Sequence, residues 1–403
     1  MKYIHPFPAR MAPEIVLNKL QKLSGKKKVL DPMVGSGMVL NTASRLNIQS
    51  FGIDIDPLSV LISKVSSTKI NENNVKEALN LLLKHSENKK ELYLPWIDND
   101  IETSNFIKYW FNKKQTNQLR ALAYYLIQSP VIFNKAIIDV IKIAISRLII
   151  TKEPKASLAR DTAHSRPHKT IEDNDFDILL SLPNSLDSVL KSLNPSEIKC
   201  NSKVSIGDAR SLKKFNKNHF DMILTSPPYL NAIDYMRGHK FSLVWFGYKI
   251  SELRNISTVS IGSEKRIDIN KKHDNIRIIN NVKNLHLDSQ MIQRYFIDLC
   301  EQLTESYRVL KLGGTASFVI GNSIQKDKQI YNNKILKEAA KIAGFSFFSE
   351  VRREIPSNRR YLPINGDSSL SKRMKTEYVI TFKKLMNSSK TYHLVTNQEP
   401  PHA

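Results

Sequence analysis

Met222-Ile223-Leu224-Thr225-Ser226-Pro227-Pro228-Tyr229 decides how the rest of this chain is read. Met222 to Leu224 is a short apolar run of the kind that forms a buried parallel strand. Two consecutive prolines cannot donate to a sheet ladder, and they hold the chain extended, so the strand stops there. In open α/β sheets, ligands bind outside the carboxyl ends of the strands. Ser226 brings a hydroxyl that accepts a hydrogen bond, Pro227-Pro228 fixes the carbonyls beside it, and Tyr229 offers a flat face for stacking. That set suits a planar heterocycle with an exocyclic amino group. Four residues alone fit equally well a proline-stopped strand without chemistry, so the flanking sequence has to discriminate.

Toward the N-terminus, Val29-Leu30-Asp31-Pro32-Met33-Val34-Gly35-Ser36-Gly37-Met38-Val39-Leu40 reads as strand, glycine turn and helix. Glycine lets the backbone approach a ligand closely, and a helix N-terminus presents free N–H groups. The pattern is neither the GxGxxG of dinucleotide enzymes nor a P-loop. With 13 glycines in 403 residues, a Gly-x-Gly is a sparse feature here. About twenty residues on, Phe51-Gly52-Ile53-Asp54-Ile55-Asp56-Pro57 ends a second strand on acid, as a ribose-binding unit does. Asp54 is the better ribose candidate and Asp56 the reserve, and one of the two is expected to cap a helix from Leu58 to about Ser66. Val204-Ser205-Ile206-Gly207-Asp208 is a third strand with acid at its end.

The Ser226-to-Tyr229 tetrapeptide resembles the catalytic motif of amino-methylating DNA methyltransferases, (Asp/Asn/Ser)-Pro-Pro-(Tyr/Phe/Trp), and its Ser form is most typical of cytosine-N4 enzymes. Asp31-Pro32-x-x-Gly35-Ser36-Gly37 resembles the S-adenosylmethionine motif of the same family. The stretch from His5-Pro6 to Met11-Ala12-Pro13 resembles the segment that flanks the cofactor's methionine part there. The resemblance covers roughly residues 1–70 and 200–385. It implies a Rossmann-like, seven-stranded class I methyltransferase sheet, an α/β fold, with S-adenosylmethionine as cofactor. The implied cofactor residues are Asp31, Pro32, Gly35, Ser36, Gly37, Asp54, Asp208 (toward the adenine amino group) and Thr225. Ser226, Pro227, Pro228 and Tyr229 are the implied catalytic residues. In that chemistry Ser226 Oγ and the Pro227 carbonyl accept hydrogen bonds from the amino group of a base flipped out of double-stranded DNA. The amino nitrogen attacks the methyl group in line, with no covalent intermediate and no metal. Cytosine-C5 methylation requires a cysteine nucleophile, and neither Cys200 nor Cys300 follows a proline in such a motif. Adenine N6 presents a similar amino group and stays open, as do an RNA base methyltransferase and a non-catalytic DNA-binding protein. Restriction–modification, the usual setting of the family, implies a cognate restriction endonuclease as partner.

Composition agrees with a polyanionic partner: 61 basic and 38 acidic residues give +23. The N-terminus shows no signal-peptide core, no run is long and apolar enough for a membrane helix, and two cysteines without CxxC spacing suit a reducing cytoplasm. Between the second and third strands, residues 71–200 read as a mainly helical insertion, with helices over 75–83, 105–126 and 131–150. A basic loop follows, Lys152 to Lys169, whose Arg160, Arg166 and Lys169 are candidate DNA contacts. His164 and His168 lack a third ligand at metal spacing. Arg237 and Lys240, interleaved with aromatic residues, and Arg360 in a second basic cluster complete the DNA candidates. Residues 251–290 read as a mobile segment and Met291 to Leu310 as an amphipathic helix with a glycine stop at Gly313-Gly314. Ala316 to Ile320 is a fifth strand, Phe345 to Glu354 and Glu377 to Lys383 a closing antiparallel pair, and 386–403 a disordered tail. The expected organisation is thus a cofactor half (1–70), a helical insertion (71–200), a catalytic half (201–385) and the tail.

Overall fold

The computed structural model describes residues 3–7, 10–23, 27–87, 92–132, 134–230, 234–263, 289–325, 328–355 and 375–385. The expectations for Arg360, for most of the 251–290 segment and for the 386–403 tail lie outside these residues. The chain divides into two compact units, Met1–Asp208 with Ile233–Ser260 and Ala209–Ala232 with Ile261–Ala403.

In the first unit three parallel strands, β1 (Lys28–Asp31), β2 (Gln49–Asp54) and β3 (Lys203–Ile206), lie in the order β3-β2-β1. Val29, Leu30, Phe51 and Ile53 are buried, which is why β1 and the middle of β2 are apolar without alternation. Helices α1 (Pro13–Leu20), α2 (Met38–Arg45) and α3 (Pro57–Ser66) accompany them.

The insertion supplies α4 (Glu72–Ser86), α5 (Ile101–Trp110), α6 (Lys113–Ala123), α7 (Lys135–Ile149) and α8 (Ile178–Leu193). Each starts on an Asn or Asp (Asn71, Asp100, Asn112, Asn134, Asp177) whose side chain accepts from a first-turn N–H. These caps correct the sequence boundaries. The single helix expected over 105–126 is two, because Asn112 starts a new one; the helix expected from Val131 begins only after Asn134. Helix α8 was not anticipated at all, since Pro183 interrupts its pattern, yet it runs through that proline.

The insertion is not a separate body. Leu58, Ile62 and Val65 of α3 share one hydrophobic cluster with Val75, Leu79, Ile141, Ile145 and Leu186. The same cluster takes in Phe241 and Trp245, from α9 (Met236–Leu243) and the turn after it. Ile250–Val259, within the segment expected to be mobile, forms α10. The basic loop folds back as a short antiparallel ladder, Ala159 opposite Lys169 and Arg160 opposite His168.

The second unit carries β4 (Phe220–Thr225), β5 (Leu310–Gly321), β6 (Ser346–Glu354) and β7 (Thr376–Lys383) in the order β4-β5-β7-β6. β4 and β5 are parallel, and the remaining two pairings are antiparallel. Helix α11 (Gln290–Val309) and α12 (Asn332–Ile342) complete it. There is no glycine stop after α11: Leu310 already begins β5, and Gly313, at φ +74°, sits inside that strand. Among the described residues the main sheet has seven strands, mostly parallel, ending in an antiparallel pair. This is the α/β, Rossmann-like class I methyltransferase fold.

Candidate functional site

On the first unit the candidates gather where β1 and β2 end. Asp31 is buried, and its carboxylate accepts from Met33 N–H at 3.2 Å, turning the chain after Pro32. Gly35 and Gly37 both lie in the left-handed region, at φ +47° and +77°. At Gly37 a β-carbon would sit 2.7 Å from the backbone of Ser63, so α3 permits no side chain there. Gly37 opens α2 with no side-chain cap. Ser36, half-exposed, lines a small cavity with His5, Phe7, Arg10, Asn41 and Ser66.

Asp54 ends β2 and holds that loop. Gly35 N–H donates to its Oδ2 at 2.9 Å and Asp56 N–H to its Oδ1 at 3.0 Å. Burial first, and then the neighbouring Asp56 charge, push the Asp54 carboxyl up to about 7, against those two backbone bonds and the His239 ring. Asp56 behaves differently. Its Oδ1 caps α3 through Leu58 N–H at 2.8 Å, and its Oδ2 meets His239 Nδ1 at 2.5 Å. Burial opposes its ionisation, but the histidine and the backbone donors hold its carboxyl below the ordinary value. Asp208 lies just past β3, half-buried.

His239 was not singled out by sequence reasoning, because it lies 183 residues from its partner. Its ring packs 5.5 Å from Phe7 and 6.1 Å from Tyr235. Nearby, His5 Nε2 contacts Ser146 Oγ at 2.9 Å, and Ser146 Oγ contacts Ser242 Oγ at 2.8 Å. These bonds tie the N-terminal segment to α7 and α9. Burial first, then His239, Arg147 and Arg10, keep the His5 ring well below the usual imidazole range and hence neutral.

The DNA candidates of this unit lie on the basic loop and on α9. Arg166 is exposed. Arg160 pairs with Glu153 at 3.1 Å and Lys169 with Glu172 at 2.5 Å. Arg237 stands 3.5 Å from Asp234, and Lys240 lies over the Phe106 ring. Among the described residues no group of three or more His, Cys, Asp or Glu side chains is placed to hold a metal.

On the second unit, β4 ends on buried Thr225, and the motif follows as extended chain. Ser226 Oγ donates to the Val319 carbonyl of β5 at 2.9 Å. The hydroxyl proton is thereby committed, leaving the oxygen's lone pairs to act as acceptors. Pro228 and Leu230 have their carbonyls held by side chains: Tyr295 Oη donates to Pro228 O at 2.9 Å and Ser323 Oγ to Leu230 O at 2.6 Å. The Pro227 carbonyl receives no hydrogen bond among the described residues. Tyr229 is half-buried beside Gly262, whose φ is +77°. Tyr295 lies within the amphipathic helix expected over 291–310 but was not singled out there; no local pattern separates it from a core aromatic.

No family model matches the chain. It is similar to the Type II methyltransferase M.MvaI of Kocuria varians, 23% identical, covering 96% of this chain and 91% of that protein. It is 27% identical to the Type II methyltransferase M.BsoBI of Geobacillus stearothermophilus over 60% of this chain and 52% of that one. M.AvaI of a Nostoc strain, also a Type II methyltransferase, is 23% identical over 86% and 78% respectively. Among solved structures, a SAM-dependent methyltransferase of Methanosarcina mazei aligns with a TM-score of 0.34 at 9% identity, covering 94% of this chain and 100% of that one.

Proposed function

We propose that this chain is a site-specific DNA methyltransferase that transfers the methyl group of S-adenosylmethionine to the exocyclic N4 amino group of cytosine in double-stranded DNA. The observation that carries the reading is the pair of acceptors after β4. Ser226 Oγ has spent its proton on Val319, and among the described residues nothing donates to the adjoining Pro227 carbonyl, while the carbonyls of Pro228 and Leu230 are held. Two acceptors on neighbouring residues suit the two N–H groups of an aromatic amine. Accepting from both draws the nitrogen toward a pyramidal form with a localised lone pair. A flipped base supplies that amine, and Tyr229 stacks on its ring. Orientation accounts for much of the acceleration.

The first unit fits the cofactor. A left-handed Gly-x-Gly turn opens an uncapped helix, and a half-buried carboxylate ends the next strand. Asp54 would hold the ribose hydroxyls and Asp208 the adenine amino group. Asp31, Pro32, Gly35, Ser36 and Gly37 shape the approach to the methionine part, and Thr225 completes the set. When bound, the cofactor supplies a methyl group on a sulfonium centre. Ser226 Oγ and the Pro227 carbonyl would orient the amino nitrogen toward that methyl carbon, so that the sulfur would keep the electron pair of the broken carbon–sulfur bond and the nitrogen would give a proton to water.

DNA as substrate is supported by the +23 charge, with Arg160, Arg166, Lys169, Arg237, Lys240 and Arg360 as contacts. The Type II names of the relatives support a restriction–modification setting in the cytoplasm, with a cognate endonuclease as partner. Mass spectrometry of nucleosides from DNA incubated with enzyme and cofactor tests the reading. N4-methylcytosine is expected; N6-methyladenine would move the target to adenine, and no methylated nucleoside would overturn the function.

A further inference from the structure

We infer that Tyr295 is a positioning residue for methyl transfer, fixing the Ser-Pro-Pro-Tyr segment through the Pro228 carbonyl. The inference rests on the function proposed above and deepens it.

The argument follows from the torsions of the motif. The pyrrolidine rings lock φ at Pro227 and Pro228. ψ of Pro227 is confined because a proline follows it. ψ of Pro228 is therefore the first soft backbone torsion after the Pro227 carbonyl on the way to the Tyr229 ring. The Pro228 carbonyl turns with that torsion, and Tyr295 Oη holds it at 2.9 Å. Tyr295 is 1% exposed on α11, a helix fastened at its flank by Arg210 to Asp298 at 2.6 Å. The donor is thus carried on a rigid element. Gly262 closes the other side: a β-carbon there would stand 3.2 Å from the Tyr229 carbonyl and 3.8 Å from the Tyr295 ring. One residue further along, Ser323 fixes the Leu230 carbonyl and is itself held by Asn332 Nδ2 at 2.7 Å. The segment is held on both sides of Tyr229, and Tyr295 holds the carbonyl that follows the Pro227 acceptor. Without its hydroxyl, Pro228 can rotate, and the stacking ring loses its set angle to Ser226 Oγ and the Pro227 carbonyl.

The test is Tyr295→Phe, compared with wild type and with Phe296→Leu, which loosens the same buried helix without removing a donor to the motif. Single-turnover methyl transfer is measured on the preformed complex with cofactor and substrate DNA, alongside cofactor and DNA affinity and melting temperature. The expected result is a fall of about tenfold in the transfer rate of Tyr295→Phe, with both affinities within twofold of wild type. Phe296→Leu should keep its rate despite an equal or larger drop in melting temperature. A Tyr295→Phe rate within twofold of wild type, or equal rate losses in the two variants, would overturn the positioning role while leaving the proposed function intact. A wild-type protein that methylates no base would overturn both.

Discussion

The strand ends of the two units hold their loops by different means. After β1 and β2 the chain is held by carboxyl groups: Asp54 grips Gly35, and its neighbour Asp56 caps α3 and takes a buried histidine. After β4, uncharged groups hold the chain. Two prolines restrict the torsions, and neutral hydroxyls from Ser226, Tyr295 and Ser323 do the rest. The first arrangement answers to pH and to a ligand with hydroxyl donors. Under the proposed function, the second would offer neutral acceptors to a neutral amine, where a carboxylate is not required. Binding and transfer are therefore expected to fail separately.

The largest expected effect is on transfer. Ser226→Ala should lower the methyl-transfer rate about a hundredfold or more, with cofactor affinity unchanged by calorimetry. Next in size is the buried pair. His239→Leu strands the Asp56 carboxylate, and chemical denaturation should show a loss of about 3–5 kcal/mol. Because the Asp56 carboxyl is held below 3.8, its contribution is complete at neutral pH and fades only as pH falls through that lower value. Gly37→Ala combines a left-handed backbone with a clash against Ser63 and should cost about 2–3 kcal/mol in the same assay.

Asp54 gives a smaller, pH-dependent signature. Its raised carboxyl favours the neutral form in the cofactor-free protein, so that stabilising contribution is complete below about 4 and is lost as pH rises through about 7. Ribose hydroxyls donate best to the ionised form. Affinity for S-adenosylhomocysteine should therefore climb about tenfold from pH 6 to 8, and Asp54→Asn should flatten that climb. The smallest effect is Arg166→Ala, which should weaken DNA binding a few-fold and lower the salt slope by about 1.

Much of this was legible in the sequence because it is local. Asp31 to Gly37, Asp54 and Ser226 to Tyr229 each combine a strand end with turn residues inside a short window, and the seven strands follow from apolar runs of ordinary length. Helix α8 escaped because Pro183 masks a pattern that tertiary burial of Leu182, Leu186 and Leu190 sustains. The two sides of Asp56 show the same divide. Its cap to Leu58 spans two residues, and a cap from it or from Asp54 was expected, whereas its bond to His239 spans 183 and has no local signature. Tyr295 is hidden likewise, 67 residues from Pro228.

The separation of binding from transfer is tested most directly by measuring cofactor dissociation constants and single-turnover rates at saturating cofactor for Ser226→Ala and Asp54→Asn side by side. The account predicts that Ser226→Ala loses rate at unchanged affinity, and that Asp54→Asn loses affinity while recovering most of its rate at saturation. Loss of the same quantity in both variants would contradict it.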